Sequence, residues 1–135
     1  MKVVVGTNVV VSGLLSPSGP PGRVLDLLLS GRATALYDDR ILQEYREVVA
    51  RPRLRLDPAL AGLVLATLEL DGQLVPSPPL PIQLPYPDDL PFIEVAVTGN
   101  ASALITGNVR HFEPASHLVP ILTPAAFVDL WREGR

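Results

Sequence analysis

The alternation of short apolar runs with longer amphipathic segments is the feature of this 135-residue chain that most restricts its fold. Runs rich in valine, leucine, isoleucine and alanine recur at Val3–Val5, Ala33–Tyr37, Leu74–Val75, Ala103–Ile105 and Val119–Leu122. Most of these runs are apolar on both faces, which is typical of parallel strands that helices cover on both sides. We therefore predict an α/β fold with three layers, α/β/α, around a central parallel sheet of four to five strands.

The segments between the runs carry helix start and stop signals. Asp57-Pro58 and Thr123-Pro124 each place a capping side chain before a proline that suits the first helical turn. The stretch 76–91 is rich in proline, which breaks helices and central strands, so it is predicted to be an ordered loop. No repeat or second pattern interrupts this order, and we expect one domain over residues 1–135.

Composition excludes several classes of site. The chain has no cysteine, which excludes disulfides, thiolate nucleophiles and zinc–thiolate centres. Lys2 is the only lysine, which excludes P-loop phosphate binding and Schiff-base chemistry. The net charge of −3 provides no overall basic field, so a nucleic-acid partner needs a local patch. The chain has neither a membrane-length apolar run nor a signal-peptide pattern, and we expect a cytoplasmic protein without membrane attachment.

Polar residues follow the first apolar run, where a parallel sheet presents its carboxyl edge. Gly6, Thr7 and Asn8 stand there, and ligands collect at this edge in open α/β sheets. A site at this edge usually has a charged residue directly after the strand, but position 6 has no side chain. Asn108 follows the run Ala103–Ile105 and would lie at the same edge if the two strands are neighbours, although a turn residue is the simpler interpretation.

Three carboxylates stand where a packed face or a helix start is expected. Glu44 shares a helical face with Ile41 and Val48, so it is either solvated at an edge or held at the rim of the core to meet a cation. Asp88 and Asp89 precede a helix, and one of them is enough for an N-cap. Carboxylates without histidine or cysteine suit magnesium or manganese, which serve phosphodiester hydrolysis in such sites.

At this point the chain resembles the PIN domain, in particular the toxin components of toxin–antitoxin systems related to the VapC-like ribonucleases. The resemblance depends on the order and spacing of the segments 3–12, 42–48, 87–96, 104–112 and 121–124. It implies a PIN-like fold and an endoribonuclease site dependent on magnesium or manganese. It also implies a homodimer and a small antitoxin whose tail enters the acidic groove.

The resemblance assigns roles to particular residues. It implies that the catalytic carboxylates are Glu44, Asp89 and Asp88, and that Asn108 joins them around the metal. Residues expected to support the site or contact RNA are Thr7, Asn8, Thr106 and Arg110. Arg51, Arg53 and Arg55 are read either as further phosphate contacts or as solvated surface. His111 and His117 stand too far from other catalytic residue types to suggest a catalytic pair, and we interpret them as loop histidines.

Departures from the family pattern leave two possible functions for this chain. The family opens with Asp-Thr-Asn, whereas this chain has Gly6-Thr7-Asn8, and Tyr86 stands where the family often has another aspartate. The expected function is therefore a PIN-domain ribonuclease with an incomplete acidic site. The alternative is an inactive PIN-fold protein that binds RNA, an antitoxin or its own copy. An unrelated nucleotide-binding domain is disfavoured because no glycine-rich loop follows the first strand.

Overall fold

A computed structural model describes residues 1–134 and shows strands alternating with helices along the chain. The strands are β1 (Lys2–Val5), β2 (Thr34–Tyr37), β3 (Gln73–Leu74), β4 (Ala103–Ile105) and β5 (Ile121–Leu122). The α-helices are α1 (Thr7–Leu15), α2 (Pro20–Leu29), α3 (Asp39–Val49), α4 (Pro58–Asp71), α5 (Leu90–Thr98) and α6 (Pro124–Gly134). Short 3₁₀ helices cover Pro52–Leu54, Pro87–Asp89 and Val109–Ala115. None of the helices in the described part of the chain is long and apolar enough to cross a membrane.

The strands form one parallel sheet in the order β3-β2-β1-β4-β5, as the alternation predicts. Helices cover both faces, so the central strands are fully buried: Val4 and Leu104 are both 0% exposed. Val5 on β1 pairs with Ile105 on β4, and the backbone N–H of Gly6 donates to the Ile105 carbonyl over 2.8 Å. The carboxyl ends of β1 and β4 therefore lie side by side, which confirms that these two strands are neighbours.

Several boundaries differ from the sequence prediction by one or two residues: β2 begins at Thr34 rather than Ala33, and β3 covers Gln73–Leu74 rather than Leu74–Val75. Two further differences have a clear physical reason. The last strand was expected over Val119–Leu122 but begins at Ile121, because Pro120 has no N–H to donate to the ladder and contributes only its carbonyl. The proline-rich stretch 76–91 is a loop only as far as Tyr86. Pro87–Asp89 then forms a 3₁₀ turn, and α5 begins at Leu90 with a proline in its first turn.

Two buried carboxylates, Asp38 and Glu94, share the half-exposed Arg40 and attach this loop to the helices. Glu94 on α5 is 3% exposed and pairs through Oε1 with Arg40 on α3 over 2.8 Å, while its Oε2 accepts the backbone N–H of Leu80 over 3.0 Å. Arg40 also pairs with Asp38 over 2.7 Å, and Asp38 caps α3 by accepting from the backbone N–H of Ile41. These contacts fix the start of α3, the middle of α5 and the proline-rich loop relative to one another.

Candidate active site

The carboxyl ends of β1 and β4 open into a cavity of about 310 Å³. Its lining residues are Gly6, Thr7, Asn8, Glu44, Tyr86, Asp88, Asp89, Phe92, Thr106, Asn108, His111 and Phe112. The fold therefore brings together every side chain predicted for the site except Arg110, which lines a separate cavity beside Glu113 and Ile121.

Position 6 has room for a side chain. The backbone of Gly6 is extended, with φ −64° and ψ 150°, a conformation that any residue adopts. A Cβ atom there would lie 3.0 Å from Asn8 Oδ1, 3.4 Å from the Ile105 carbonyl oxygen and 3.5 Å from Thr106 Oγ1. The tightest of these neighbours is the end of a flexible amide side chain that can shift by a few tenths of an ångström. Neither the backbone nor the packing therefore requires glycine at this position.

Glu44 is held at the rim of the core rather than free in solvent. It is half-buried, and its Oε2 accepts a hydrogen bond from the Thr7 hydroxyl. The next residue, Tyr45, is 3% exposed and donates its hydroxyl proton to the carbonyl of Val5 at the end of β1. These two contacts fix α3 against the carboxyl end of β1 and orient the Glu44 carboxylate into the cavity that it lines.

Asp89 stands at the N-cap position of α5 but does not act as a cap, because its side chain makes no capping hydrogen bond. Its Oδ2 is buried and has no hydrogen-bond partner among residues 1–134. Burial raises the pKa of Asp89 above its usual value, the nearby His111 opposes this rise and the charge of Asp88 adds to it. A buried carboxylate oxygen without a partner is costly unless something else occupies its lone pairs. The capping interpretation is therefore wrong for the Asp89 side chain, which remains available to a ligand.

His111 belongs to the site, which the sequence did not reveal. It lies in the 3₁₀ helix Val109–Ala115 rather than in a loop, and its Nδ1 lies 3.5 Å from Asp89 Oδ2. This separation is long for a hydrogen bond but suits an ion pair when the imidazole is protonated. The ring of Tyr86 lies against that of His111, with centroids 4.3 Å apart and planes 39° from parallel. The one usable signal in the sequence was that His111 follows Asn108 by three residues.

A larger groove of about 850 Å³ continues from the acidic residues towards the end of α3. It shares Glu44, Asp88 and Asp89 with the cavity and adds the arginines Arg40, Arg51 and Arg53. Arg55 instead lines an apolar pocket between α3 and α4. Two of the three arginines considered near the end of α3 therefore lie along a groove that leads from the carboxylates.

The oxygen donors of the cavity suit a hard divalent cation by chemistry but are incomplete in number. The unpartnered Oδ2 of Asp89 and the oriented carboxylate of Glu44 are the donors that magnesium or manganese prefers. Across the described residues, however, no group of three or more acidic, histidine or cysteine side chains is placed to hold one ion. Position 6 borders these donors and contributes none.

Comparison with known proteins places this site in a family context. A family model of the PIN domain matches residues 2–110. An uncharacterised protein of Methanocaldococcus jannaschii is 38% identical over 55 residues, which are 41% of this chain and only 36% of that relative. A crystal structure of VapBC2 from Rickettsia felis, bound to a DNA fragment from the promoter of these proteins, aligns with this chain with a TM-score of 0.60. The alignment covers 91% of this chain and 98% of that chain at 18% identity, a level at which the likeness concerns the fold alone.

Proposed function

Because the chain belongs to the PIN-domain family, we propose that it is a single-domain endoribonuclease, the toxin of a toxin–antitoxin pair, in which Gly6 impairs the acidic site. The proposed reaction is the hydrolysis of RNA phosphodiesters in the cavity at the carboxyl ends of β1 and β4. The observation that carries this proposal is the convergence of Glu44, Asp88 and Asp89 in that cavity.

Magnesium or manganese is the cofactor that this donor set suits. Glu44 and Asp89 would be its principal carboxylate ligands, with Asp88 as a helper and Asn108 as a neutral ligand, since the described residues do not place three such groups around one ion. A bound ion supplies an acidified water and offsets the charge of the phosphate and of the leaving oxygen. Magnesium demands nearly ideal octahedral oxygen geometry and tolerates a missing ligand poorly. We therefore expect weak occupancy and slow hydrolysis in this chain.

The protein's own residues position these groups. The Thr7 hydroxyl holds the Glu44 carboxylate in one orientation, and the Thr106 hydroxyl oxygen accepts the backbone N–H of Asn108 over 3.0 Å. Thr106 is 2% exposed, so the acceptor of this second contact is buried. Arg51 and Arg53 line the adjoining groove, where they would contact backbone phosphates of the RNA and provide the local basic patch that the net charge lacks.

The partner assignments are part of the same proposal. The Rickettsia felis structure that shares this fold is a VapBC complex bound to promoter DNA. By analogy, this chain would be paired with a small antitoxin that covers the acidic groove. Association as a homodimer, action in the cytoplasm and a contact between Arg110 and RNA are further expectations, which the family resemblance motivates.

A second candidate function is favoured by the glycine itself. With no carboxylate at position 6 and no complete metal-binding group in residues 1–134, the chain could act as a catalytically inactive PIN-fold binding protein. Such a protein would keep its affinity for RNA or antitoxin and would not cleave RNA.

Cleavage of a structured RNA in the presence of manganese distinguishes the two functions. The nuclease proposal expects slow cleavage that a chelator and the substitution Glu44→Ala both abolish. Asp129→Ala is the control, because Asp129 is an exposed carboxylate on α6 that lines neither the cavity nor the groove, and its removal should leave the rate unchanged. Cleavage that persists in Glu44→Ala would contradict the assignment. RNA binding without any cleavage would favour the inactive binding protein.

A further inference from the structure

The site cavity is lined by an aromatic pair, the exposed Tyr86 and the half-buried His111. The chain has three phenylalanines, three tyrosines and one tryptophan, and three of these residues line this cavity. Tyr37 and Tyr45 are 7% and 3% exposed, as expected of tyrosines that pack in a core, whereas Tyr86 is 55% exposed. Tyr86 is therefore the tyrosine that can offer ring surface to a ligand.

The two rings are in close, tilted contact. Their centroids are 4.3 Å apart and their planes are 39° from parallel, slightly closer than the separation of about 4.5–7 Å that is usual for aromatic pairs. His111 also lies 3.5 Å from Asp89, so the pair is anchored beside the acidic group. Because His111 contacts Tyr86 while more than half of Tyr86 remains exposed, ring surface of Tyr86 stays open at the entrance of the cavity.

The acidic residues lie between this pair and the arginines. The cavity contains Tyr86 and His111 but none of the arginines, while the groove contains Arg51 and Arg53 but neither aromatic residue. Glu44, Asp88 and Asp89 line both. A flexible nucleic-acid strand could therefore place phosphates on the arginines, cross the carboxylates and reach the aromatic pair with a base.

We propose that Tyr86 and His111 form a stacking platform for one base of single-stranded RNA, next to the phosphate that enters the acidic cavity. This inference rests on the proposed function and specifies how the same site engages its substrate. Single-stranded RNA is commonly bound through unstacked bases that lie on aromatic side chains while cations follow the backbone. Every base has a π-face, so the platform tolerates any sequence and fixes which phosphate reaches the carboxylates.

Binding of a single-stranded RNA oligonucleotide to the unmodified protein, followed by fluorescence anisotropy in manganese at low salt, tests the platform. Tyr86→Leu keeps an apolar side chain but removes the aromatic face, and it should weaken binding about 5- to 100-fold. Tyr86→Phe keeps the ring and should preserve the affinity. Leu118→Ala is the control, because Leu118 is 42% exposed and lies outside the cavity and the groove.

A fluorescent base analogue gives a position-specific signal that a general folding defect in the variant would not produce. With 2-aminopurine placed at successive positions of the oligonucleotide, one position should be quenched by the unmodified protein and by Tyr86→Phe but not by Tyr86→Leu. Replacing that base by an abasic site should weaken binding to the unmodified protein and have little further effect on Tyr86→Leu. Equal affinity of Tyr86→Leu and the unmodified protein, or no RNA binding at all, would overturn the platform.

The same experiment separates the platform from the proposed function. Tyr86-dependent binding by a protein that never cleaves RNA, even with Gly6→Asp, would support the platform and refute the nuclease proposal. Cleavage by Gly6→Asp that is insensitive to Tyr86→Leu, with no quenched position, would refute the platform and leave the nuclease proposal standing.

Discussion

Replacing Gly6 by aspartate is expected to convert an incomplete metal site into a complete one. The extended backbone accepts the substitution, and the new Cβ meets Asn8 Oδ1 at 3.0 Å, a contact that a small rotation of the amide relieves. The new carboxylate would then stand in the cavity that Glu44 and Asp89 already line.

The size of the effect follows from the chemistry of the site. Loss of even an outer partner of a metal ligand lowers metal affinity about 10- to 100-fold. A direct ligand should therefore tighten manganese binding by at least about 100-fold, or about 2.7 kcal/mol. Without metal the variant should be less stable, because a carboxylate added beside Glu44 and Asp89 increases the repulsion between like charges, by about 1–3 kcal/mol. The loss of glycine flexibility in the unfolded chain offsets about 0.4–1 kcal/mol of this cost.

Calorimetric titration measures the manganese affinity, and thermal unfolding with and without the ion measures the stability. The unmodified protein, Gly6→Asp and the neutral isostere Gly6→Asn form the series. Manganese at 100 times its dissociation constant should stabilise Gly6→Asp by about 2.7 kcal/mol, which raises Tm by about 10 °C. If Gly6→Asp binds manganese no more tightly than Gly6→Asn, the carboxylates do not converge on one ion and the reasoning fails.

Further predictions concern the pair formed by Arg40 and Glu94, the loss of stability at alkaline pH and the arginines that line the groove. Arg40→Met removes a half-exposed cation from the buried carboxylate of Glu94 and should cost about 2 kcal/mol in urea denaturation. Arg46→Met breaks a pair that is exposed on both sides and should cost less than about 1 kcal/mol, so equal losses would refute the prediction. Burial raises the pKa of Tyr37, so the folded protein keeps a proton that the unfolded chain releases near pH 10, and stability should fall as the pH rises further. Tyr37→Phe should flatten that fall in urea titrations above about pH 10, at the cost of about 1 kcal/mol at neutral pH for its hydrogen bond; an unchanged slope would refute the assignment. Arg51→Ser should lower the slope of log RNA affinity against log salt by about 0.7, and an unchanged slope would place Arg51 outside the RNA path.

The sheet and the position of the site follow from local patterns in the sequence. Doubly apolar runs such as Val3–Val5 and Ala103–Ile105 predict buried parallel strands, and parallel strands bring their carboxyl ends to one edge. This is why Thr7, Glu44 and Thr106 line one cavity although they are far apart in the chain. Periodicity also placed Glu44 on a packed face of α3, and the structure shows it held there by Thr7.

What the sequence did not predict depends on contacts between distant residues. Arg40 and Glu94 are 54 positions apart, and no local pattern shows that Glu94 is buried against Arg40 rather than free on the surface. The 3₁₀ helix Val109–Ala115, which turns His111 towards Asp89, includes Pro114 and is too irregular to give a helical period. The burial of Asp89 Oδ2 likewise arises only when the end of β4 packs beside the start of α5.

If Glu44, Asp88 and Asp89 belong to a nuclease site that lacks one carboxylate, supplying that carboxylate at position 6 should increase cleavage. The initial rate of manganese-dependent RNA cleavage is measured for the unmodified protein, Gly6→Asp and the double variant Gly6→Asp with Glu44→Ala. We expect Gly6→Asp to cleave at least about 100-fold faster than the unmodified protein and the double variant to lose this gain. Equal rates for all three proteins would contradict this expectation.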